Sequence, residues 1–171
     1  MMELAKFIRD VPDFPKKGII FKDITPLLAD PAALDEAVAA LAQPYQGKGV
    51  QAVAAVESRG FIFGAAVACR LGVGFVPIRK PGKLPCKAVG VEYELEYGTD
   101  RIEIHADAVA AGAKVLMVDD LLATGGTMAA AHRLLVTGGA VVTGAAVLLE
   151  LAALGGRDVI GSLPMTSLRT I

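Results

Sequence analysis

Apolar residues along the chain follow two patterns, continuous runs and helical spacing. The clearest run lies within 113–120, where 115–118 are apolar at consecutive positions, as in a strand of a parallel sheet that is covered on both faces. Segments with helical spacing, or with the composition of a buried helix, alternate with such runs. We therefore predict strands at 49–56, 73–78, 113–120 and 140–151, and helices at 2–9, 31–42, 61–71 and 125–137.

The order of these elements predicts the fold class. Strands and helices that alternate along the chain imply right-handed crossovers, and so a doubly wound α/β fold with a mainly parallel central sheet flanked by helices. The length of 171 residues fits one domain, 1–171, and the chain contains no internal repeat or linker.

Two segments break the alternation of strands and helices. Pro12, Pro15 and Gly18 end the first helix and predict a loop, and Pro31 follows Asp30 where the next helix should begin. Residues 79–98 are the least apolar part of the chain, and we expect a mobile loop there. The stretch "DRIEIH" after it alternates polar and apolar residues, as in a half-exposed strand.

Composition excludes several classes of protein. A net charge of −1 argues against a nucleic-acid-binding domain, which would normally be basic. Neither Cys69 nor Cys86 belongs to a Cys-x-x-Cys motif, so we expect a reduced, cytoplasmic protein without a zinc site. The N-terminus lacks the apolar core of a signal peptide. Because the longest uncharged stretch, 134–149, is too short to span a bilayer, we expect no membrane association.

Polar residues follow two of the predicted strands directly. The segment "ESRG" comes after 49–56, and "DDLLATGGT" comes after the apolar part of 113–120. In an open parallel sheet, ligands bind beyond the carboxyl ends of the strands. These two segments are therefore the first candidates for a binding site.

The segment "DDLLATGGT" has the chemistry of a ribose-5-phosphate site. Asp119 and Asp120 repel one another at the end of a buried strand, but they could accept hydrogen bonds from two neighbouring hydroxyls or hold a hydrated Mg²⁺. The loop "ATGGT" after them can offer backbone N–H groups at a helix N-terminus to a phosphate. The alternative interpretation is an ordinary helix cap with a glycine turn.

Basic residues form a local patch in "IRKPGKLPCK". Arg79, Lys80, Lys83 and Lys87 alternate there with proline and glycine, as in a loop that could close over a polyanion, although an ordinary solvated loop has the same composition. Arg59 of "ESRG" adds a planar guanidinium suited to phosphate oxygens. P-loop, dinucleotide-binding, zinc-protease and nucleophile-elbow motifs are all absent.

These motifs resemble those of a known family. "VDDLLATGGT" resembles the signature by which type I phosphoribosyltransferases bind phosphoribosyl pyrophosphate. Four further segments resemble the adenine-specific members of that family: "FPKKGIIFKDITPLL", "ESRGFIFG", "PIRKPGKLP" and "YELEYGTDRIEIH". The resemblance runs in the family's order from about residue 14 to Leu151. It implies the type I fold, with a small hood built from about residues 12–30.

The resemblance also implies a role for each matching position. The acid pair would hold the ribose hydroxyls, and the loop after it would hold the 5-phosphate. Glu96 would exchange a proton with the purine, beside Tyr97 on a flexible loop. The implied ribose and phosphate residues are Asp119, Asp120, Ala123, Thr124, Gly125, Gly126 and Thr127. The implied pyrophosphate residues are Arg59, Arg79, Lys80 and Lys83, and the implied base-binding residues are Ile20, Phe21, Lys22 and Leu151.

The implied activity is transfer of the 5-phosphoribosyl group from phosphoribosyl pyrophosphate to adenine, giving AMP and pyrophosphate. Mg²⁺ would be bound mainly through phosphoribosyl pyrophosphate, and the resemblance suggests a homodimer. Two alternatives stay open from the sequence. The purine could carry a 6-oxo group, as in hypoxanthine, guanine or xanthine. A non-catalytic nucleotide-sensing domain would normally need an appended DNA-binding module, for which residues 1–12 are too few.

Overall fold

A five-stranded parallel sheet forms the centre of the computed structural model, which describes residues 3–94 and 98–171. Its strands are β3 (Ala52–Val56), β4 (Gly74–Ile78), β7 (Lys114–Leu122), β8 (Val141–Glu150) and β9 (Met165–Thr170), in the order β4-β3-β7-β8-β9. The helices are α1 (Thr25–Ala29), α2 (Pro31–Ala42), α3 (Gly60–Leu71), α4 (Gly126–Thr137) and α5 (Gly156–Ile160). The predicted α/β fold with a parallel sheet is confirmed.

Successive side chains along a strand point to opposite faces of the sheet, and helices cover both faces. In β7, Val115 and Met117 pack against α4 and α5, whereas Leu116 and Val118 pack against α1, α2 and α3. All four side chains are at most 2% exposed. A strand buried on both faces must be apolar at every buried position, which is the pattern seen at 115–118.

Two smaller antiparallel sheets lie outside the central sheet. β1 (Arg9–Pro12) pairs with β2 (Ile20–Asp23), and β2 lies within the segment predicted to form the hood. β5 (Ala88–Glu94) pairs with β6 (Thr99–His105). Buried side chains of β5 and β6 pack with α4 on one face of the central sheet: Tyr93, Ile102 and Ile104.

Helix α2 begins where the sequence predicts. The Asp30 side chain accepts hydrogen bonds from the backbone N–H groups of Ala32 and Ala33, at 3.0 and 2.8 Å, and Pro31 occupies the first helical position. Both features stabilise a helix N-terminus, because the first amides of a helix have no partner within it. The predicted bounds, 31–42, are confirmed.

Two predictions of local structure are wrong, and a third, the strand at 49–56, is confirmed with a later start. The helix expected at 2–9 is a short 3-10 turn, Leu4–Phe7, because the chain then extends to pair with β2. The loop expected at 79–98 contains β5, which forms through pairing with β6. The segment at 49–56 forms a strand only from Ala52 onward. Within the described part of the chain, no helix has the length and apolar character needed to cross a membrane.

Candidate active site

A cleft opens at the switch point of the central sheet. The chain passes from β3 to β4 on one side and later places β7 on the other side of β3, so the loops after β3 and β7 diverge from adjacent strand ends. A crevice is expected at such a point. The cavity there has a volume of about 430 Å³. Its lining comprises Phe21, residues 56–60 and residues 119–128.

The two predicted acids lie side by side in this cleft. The Asp119 carboxylate accepts a hydrogen bond from the Asp120 backbone N–H at 2.9 Å, and Asp120 is 5% exposed. Burial, followed by repulsion from Asp120, raises the pKa of Asp119 well above its ordinary value. Burial also raises the pKa of Asp120, although the neighbouring Arg59 opposes this shift. Such buried acids gain from a ligand that donates hydrogen bonds.

Gly60 makes room for the acid pair. A Cβ atom at this position would lie 2.6 Å from Asp119 Oδ1, closer than van der Waals contact allows. The glycine is the first residue of α3, in the segment "ESRG", and so brings the start of that helix against the end of β7. Sequence analysis did not assign Gly60 a role, although it directly follows Arg59.

The loop after the acid pair ends at the start of α4. Gly125 has a φ of 83°, a left-handed conformation that L side chains rarely adopt, and α4 begins at the next residue. No acidic side chain lies in the first turn of α4, so the partial positive charge of this helix end is not offset within the turn. The loop therefore has the geometry of an anion-binding site. Its cavity-lining residues are Ala123, Thr124, Gly125, Gly126 and Thr127.

Arg59 connects the two halves of the cleft. Its guanidinium lies 2.6 Å from the Asp120 carboxylate and 5.0 Å from the centre of the Phe21 ring. It therefore links the hood, the loop after β3 and the acid pair. Of the four predicted pyrophosphate-binding residues, Arg59 is the one that lines the described cavity.

Glu57 gathers two of the other predicted cations at the rim of the cleft. Its carboxylate accepts hydrogen bonds from Arg79 Nη2 at 3.1 Å, Lys83 Nζ at 3.0 Å and the Lys80 backbone N–H at 2.5 Å. Although burial favours the protonated acid, these hydrogen bonds lower the pKa of Glu57. Arg79, Lys80 and Lys83 are absent from the described cavity lining, but Glu57, which holds them, is part of it.

The Lys80 side chain belongs to a second polar chain that leads back to α4. Its ammonium pairs with Asp100, and Asp100 also accepts a hydrogen bond from the Tyr93 hydroxyl at 3.1 Å. Thr127 Oγ1 in turn donates to the Tyr93 hydroxyl at 3.4 Å. The pairing with Lys80 is the main cause of the lowered pKa of Asp100. The β5–β6 hairpin is thereby joined to the anion-binding loop.

The predicted base-binding residues are not all brought together. Phe21 lines the cavity, but the Lys22 ammonium lies 2.8 Å from Asp10, and the Ile20 side chain is 57% exposed. Leu151 follows β8, where its N–H donates to the Leu122 carbonyl at 2.9 Å, and it is not among the described residues that line the cavity. Glu96 and Tyr97 lie outside the described residues.

Sequence analysis missed Glu57, Tyr93 and Asp100. Glu57 begins the segment "ESRG", and its charge directly after a buried strand was the available signal. Tyr93 and Asp100 carry no comparable signal, because their partners Thr127 and Lys80 lie 34 and 20 residues away along the chain. Among the described residues, no three His, Cys, Asp or Glu side chains are grouped closely enough to hold a metal ion.

Comparison with known proteins defines the class of this fold and cleft. The family model described as a phosphoribosyl transferase domain matches residues 23–161, a range that includes Arg59, the acid pair and the loop before α4. The class is therefore that of the phosphoribosyltransferases.

Individual relatives narrow the class. The chain is 54% identical over 165 residues to an adenine phosphoribosyltransferase of Roseiflexus sp. (strain RS-1), with 96% of each chain covered. It matches the crystal structure of the adenine phosphoribosyltransferase from Thermoanaerobacter pseudethanolicus with a TM-score of 0.96 and 51% identity, over 99% of this chain and 98% of the other. The chain belongs to the adenine phosphoribosyltransferase family.

A ligand-bound relative has the same fold. The adenine phosphoribosyltransferase of Saccharomyces cerevisiae, complexed with adenine and D-2,5-dideoxy-2,5-imino-altritol 1,6-bisphosphate, gives a TM-score of 0.92 at 38% identity. The match covers 98% of this chain and 97% of the yeast chain. The family expected from the sequence motifs is thus confirmed over nearly the whole chain.

Proposed function

We propose that the cleft transfers the 5-phosphoribosyl group from phosphoribosyl pyrophosphate to adenine, giving AMP and pyrophosphate. One observation carries this proposal: the half-buried Asp119, the buried Asp120 and an open helix N-terminus line one cavity at the switch point of the sheet. The acids suit the ribose hydroxyls, and the helix N-terminus suits the 5-phosphate. Family membership supports the choice of adenine as the acceptor.

The sugar donor would occupy the part of the cavity between β7 and α4. Asp119 and Asp120 would accept hydrogen bonds from the ribose 2- and 3-hydroxyls. Ala123, Thr124, Gly125, Gly126 and Thr127 would hold the 5-phosphate through backbone N–H groups and the two threonine hydroxyls. The left-handed Gly125 supports this assignment, because the turn it makes aims successive N–H groups at one point.

The pyrophosphate would bind on the side of β3. Arg59 already lies in the cavity, and the rim residues Arg79, Lys80 and Lys83 would contribute three more positive charges. Glu57 and Asp100 hold these cations close to the cleft. A pyrophosphate carries more negative charge than one carboxylate, so it could compete for the same donors without a large rearrangement of the chain.

The adenine would lie between the hood and the end of β8. Phe21 offers a ring face to the purine, and backbone groups of Ile20, Phe21 and Lys22 would read its edge. This assignment does not require the Lys22 ammonium, which pairs with Asp10. Leu151 would supply an apolar contact on the base. Glu96 would take the purine's imidazole proton, with Tyr97 beside it.

The reaction would form a bond between adenine N9 and ribose C1 while the bond from C1 to the pyrophosphate oxygen breaks. The sugar would carry positive charge in the transition state, so positioning and charge stabilisation are the main tasks of the chain. The proton lost by the purine would go to Glu96. The basic residues would offset the charge that grows on the leaving pyrophosphate. Mg²⁺ bound to phosphoribosyl pyrophosphate would neutralise part of the same charge.

Asp119 and Asp120 suit a sugar donor that binds together with Mg²⁺. Because the described residues hold no cluster that could bind the ion alone, the substrate phosphates would supply most of its ligands. The carboxylates of Asp119 and Asp120 could then contact the hydrated ion through water.

We also propose a homodimer in the cytoplasm. The homodimer rests on the resemblance to the family, and light scattering of the purified protein would test it. A reducing compartment is supported by Cys69 and Cys86, which are both exposed and form no disulfide.

One assay tests the proposed function. The purified protein is incubated with Mg²⁺ and phosphoribosyl pyrophosphate, each purine base is offered separately, and nucleotide and pyrophosphate are both measured. We expect AMP and pyrophosphate in equal amounts with adenine. Faster product formation with hypoxanthine, guanine or xanthine would overturn the choice of purine. No product with any base would overturn the transferase activity itself.

A further inference from the structure

Two glycines from distant parts of the chain meet directly behind the anion-binding loop. A Cβ atom on Gly125 would lie 2.5 Å from the Gly156 carbonyl oxygen and 3.1 Å from Gly156 Cα. A Cβ atom on Gly156 would clash with the Ala123 carbonyl oxygen and lie 3.1 Å from the Gly125 backbone nitrogen. Neither position has room for a side chain, so the backbone of the loop rests directly on the backbone of Gly156.

The residue after Gly156 fixes the position of this contact. Arg157 donates from Nε and Nη2 to the two carboxylate oxygens of Glu150, at 2.8 and 2.5 Å, and from Nη2 to Ser167 Oγ at 3.0 Å. The Ser167 hydroxyl also donates to Glu150 at 2.5 Å. Such two-point pairing fixes orientation as well as distance. It ties α5 to β8 and β9, which belong to the rigid sheet.

The described cavity lining does not include Gly156 or the cluster of Glu150, Arg157 and Ser167, and the proposed mechanism does not use these four residues. Glu150 is 6% exposed, so its carboxylate is buried behind the site and not in it. It is also the residue before Leu151, the predicted contact for the base. The cluster is therefore in a position to act on the site through the backbone.

We propose that Gly156 and Arg157 are positioning residues for the 5-phosphate of the sugar donor. Gly156 supports the backbone of residues 123–125, and Arg157, held by Glu150 and Ser167, keeps Gly156 in place. The inference rests on the proposed function of the loop as the phosphate site. It means that binding of the 5-phosphate depends on the segment after β8 as well as on the sequence of the loop.

The expected effect is selective for the sugar donor. A side chain at Gly156 would push the Ala123 carbonyl and the Gly125 amide away, so the N–H groups would no longer point at one phosphate. A misplacement of about 1 Å in a preorganised site can cost on the order of 100-fold. Adenine would bind elsewhere in the cleft, so its binding should change much less.

Gly156→Ala tests the steric part of this proposal. Gly156 does not have a positive φ, so alanine introduces a contact without straining the backbone. We expect the KM for phosphoribosyl pyrophosphate and the Kd for ribose 5-phosphate to rise at least about 10-fold. We expect kcat and the KM for adenine to stay within about threefold. Gly74→Ala is the matched control, because a Cβ atom there meets nothing within 4 Å.

Arg157→Gln tests the anchor and covers the case in which Gly156→Ala does not fold. It removes the two-point pairing but keeps a polar side chain, and we expect the same selective rise in the KM for the sugar donor. Arg157→Lys, which keeps the charge without the fork, should restore part of the affinity. Arg70→Gln is the control, because it breaks an exposed ion pair with Asp35.

The activity of the wild-type protein tests the proposed function separately from this inference. If the wild-type protein converts adenine to AMP, the variants test the inference alone. If the folded Gly156→Ala and Arg157→Gln proteins keep the wild-type KM for the sugar donor and the wild-type Kd for ribose 5-phosphate, the inference is overturned. A loss of melting temperature with equal losses for both substrates would also overturn it, because a merely structural role predicts that result.

Discussion

Arg59 Nη2 lies 2.6 Å from Asp120 Oδ2, across the switch point of the central sheet. This ion pair joins the loop after β3 to the end of β7, and so connects the proposed pyrophosphate side of the cleft to the proposed ribose side. Asp120 is buried, and a buried charge is costly unless it is paired. The pair therefore opposes the effect of burial, which raises the pKa of Asp120, and it places the guanidinium over Phe21.

Asp120→Asn should weaken binding of the sugar donor. Asparagine keeps the shape of the side chain but removes the charge that orients Arg59 and accepts hydrogen bonds from the ribose. We expect the Kd for phosphoribosyl pyrophosphate to rise about 10- to 100-fold, measured by calorimetry with Mg²⁺ present. Asp35→Asn, which removes an exposed carboxylate, serves as the control. Unchanged affinity in Asp120→Asn would mean that the acids do not face the ribose.

Asp119→Asn should raise the stability of the unliganded protein and lower its affinity for the sugar donor. Because burial and Asp120 raise the pKa of Asp119, ionisation of Asp119 costs folding free energy. This cost is absent below the ordinary pKa of 3.8 and grows as pH rises towards the raised value. The melting temperature of unliganded Asp119→Asn should therefore exceed that of the wild type by a margin that widens from pH 4 upward. Its affinity for the sugar donor should fall at least about 10-fold.

Melting curves of both proteins over this pH range check the prediction about Asp119. Asparagine still offers an oxygen to the Asp120 backbone N–H, so the local hydrogen bond is kept. A margin that does not change with pH would show that Asp119 is not destabilised by its charge. A stabilised variant with full affinity would remove Asp119 from the ribose site.

Glu57→Gln should disturb the pyrophosphate side of the cleft. Glutamine can still accept from the Lys80 backbone N–H, but it lacks the charge that holds Arg79 and Lys83 at the rim. We expect inhibition by pyrophosphate to weaken about 10-fold, because the loss of preorganised cations raises the cost of binding. Glu92→Gln, on the exposed side of β5, is the control. Tighter pyrophosphate binding would mean that competition from Glu57 for these donors outweighs any benefit from orienting them.

Glu96→Gln tests the proposed proton acceptor, which was assigned from sequence motifs. We expect kcat to fall about 10²- to 10⁴-fold with little change in the KM for phosphoribosyl pyrophosphate, because the amide cannot accept the purine proton. Glu94→Gln, two residues earlier and exposed, is the matched control. A decrease of less than threefold in Glu96→Gln would remove this residue from the mechanism.

The sequence patterns predicted β7 and α4, the strand and the helix on either side of the anion-binding loop, and there is a physical reason for this success. β7 is buried on both faces, so each of its positions from Val115 to Val118 must be apolar, and its polar end at Asp119 is easily seen. Helix α4 follows from the glycine turn at Gly125, which ends one element and begins the next. Both signals are local in the sequence, so both could be found without knowledge of tertiary contacts.

Long-range pairing could not be predicted from the same patterns. The segment 88–94 looks like a loop because several of its residues are polar, and it becomes a strand through pairing with β6. The contact between Gly125 and Gly156 joins residues that are 31 positions apart in the chain, and neither glycine indicates its partner. The ion pairs of Lys80 with Asp100 and of Lys83 with Glu57 likewise could not be predicted from the sequence, because they form only in the folded chain.

Glu150→Gln should lower stability in a manner that depends on pH. Hydrogen bonds from Arg157, and then from Ser167, lower the pKa of Glu150 from 4.5 to about 2. A carboxyl group with a depressed pKa in the folded state contributes stability above its unfolded pKa and loses this contribution as pH falls towards the folded value. We therefore expect Glu150→Gln to be less stable by about 1–3 kcal/mol at pH 7, with the deficit shrinking as pH falls from 4.5 towards 2.

Urea unfolding of the Glu150→Gln and wild-type proteins between pH 3 and pH 7 measures this deficit. Asp35→Asn is the control, because its exposed ion pair with Arg70 should contribute less than about 1 kcal/mol. A constant deficit for Glu150→Gln across that range would mean that Arg157 does not stabilise the ionised form. The anchor beneath the anion-binding loop would then depend on packing, and Arg157→Lys should be as active as the wild type.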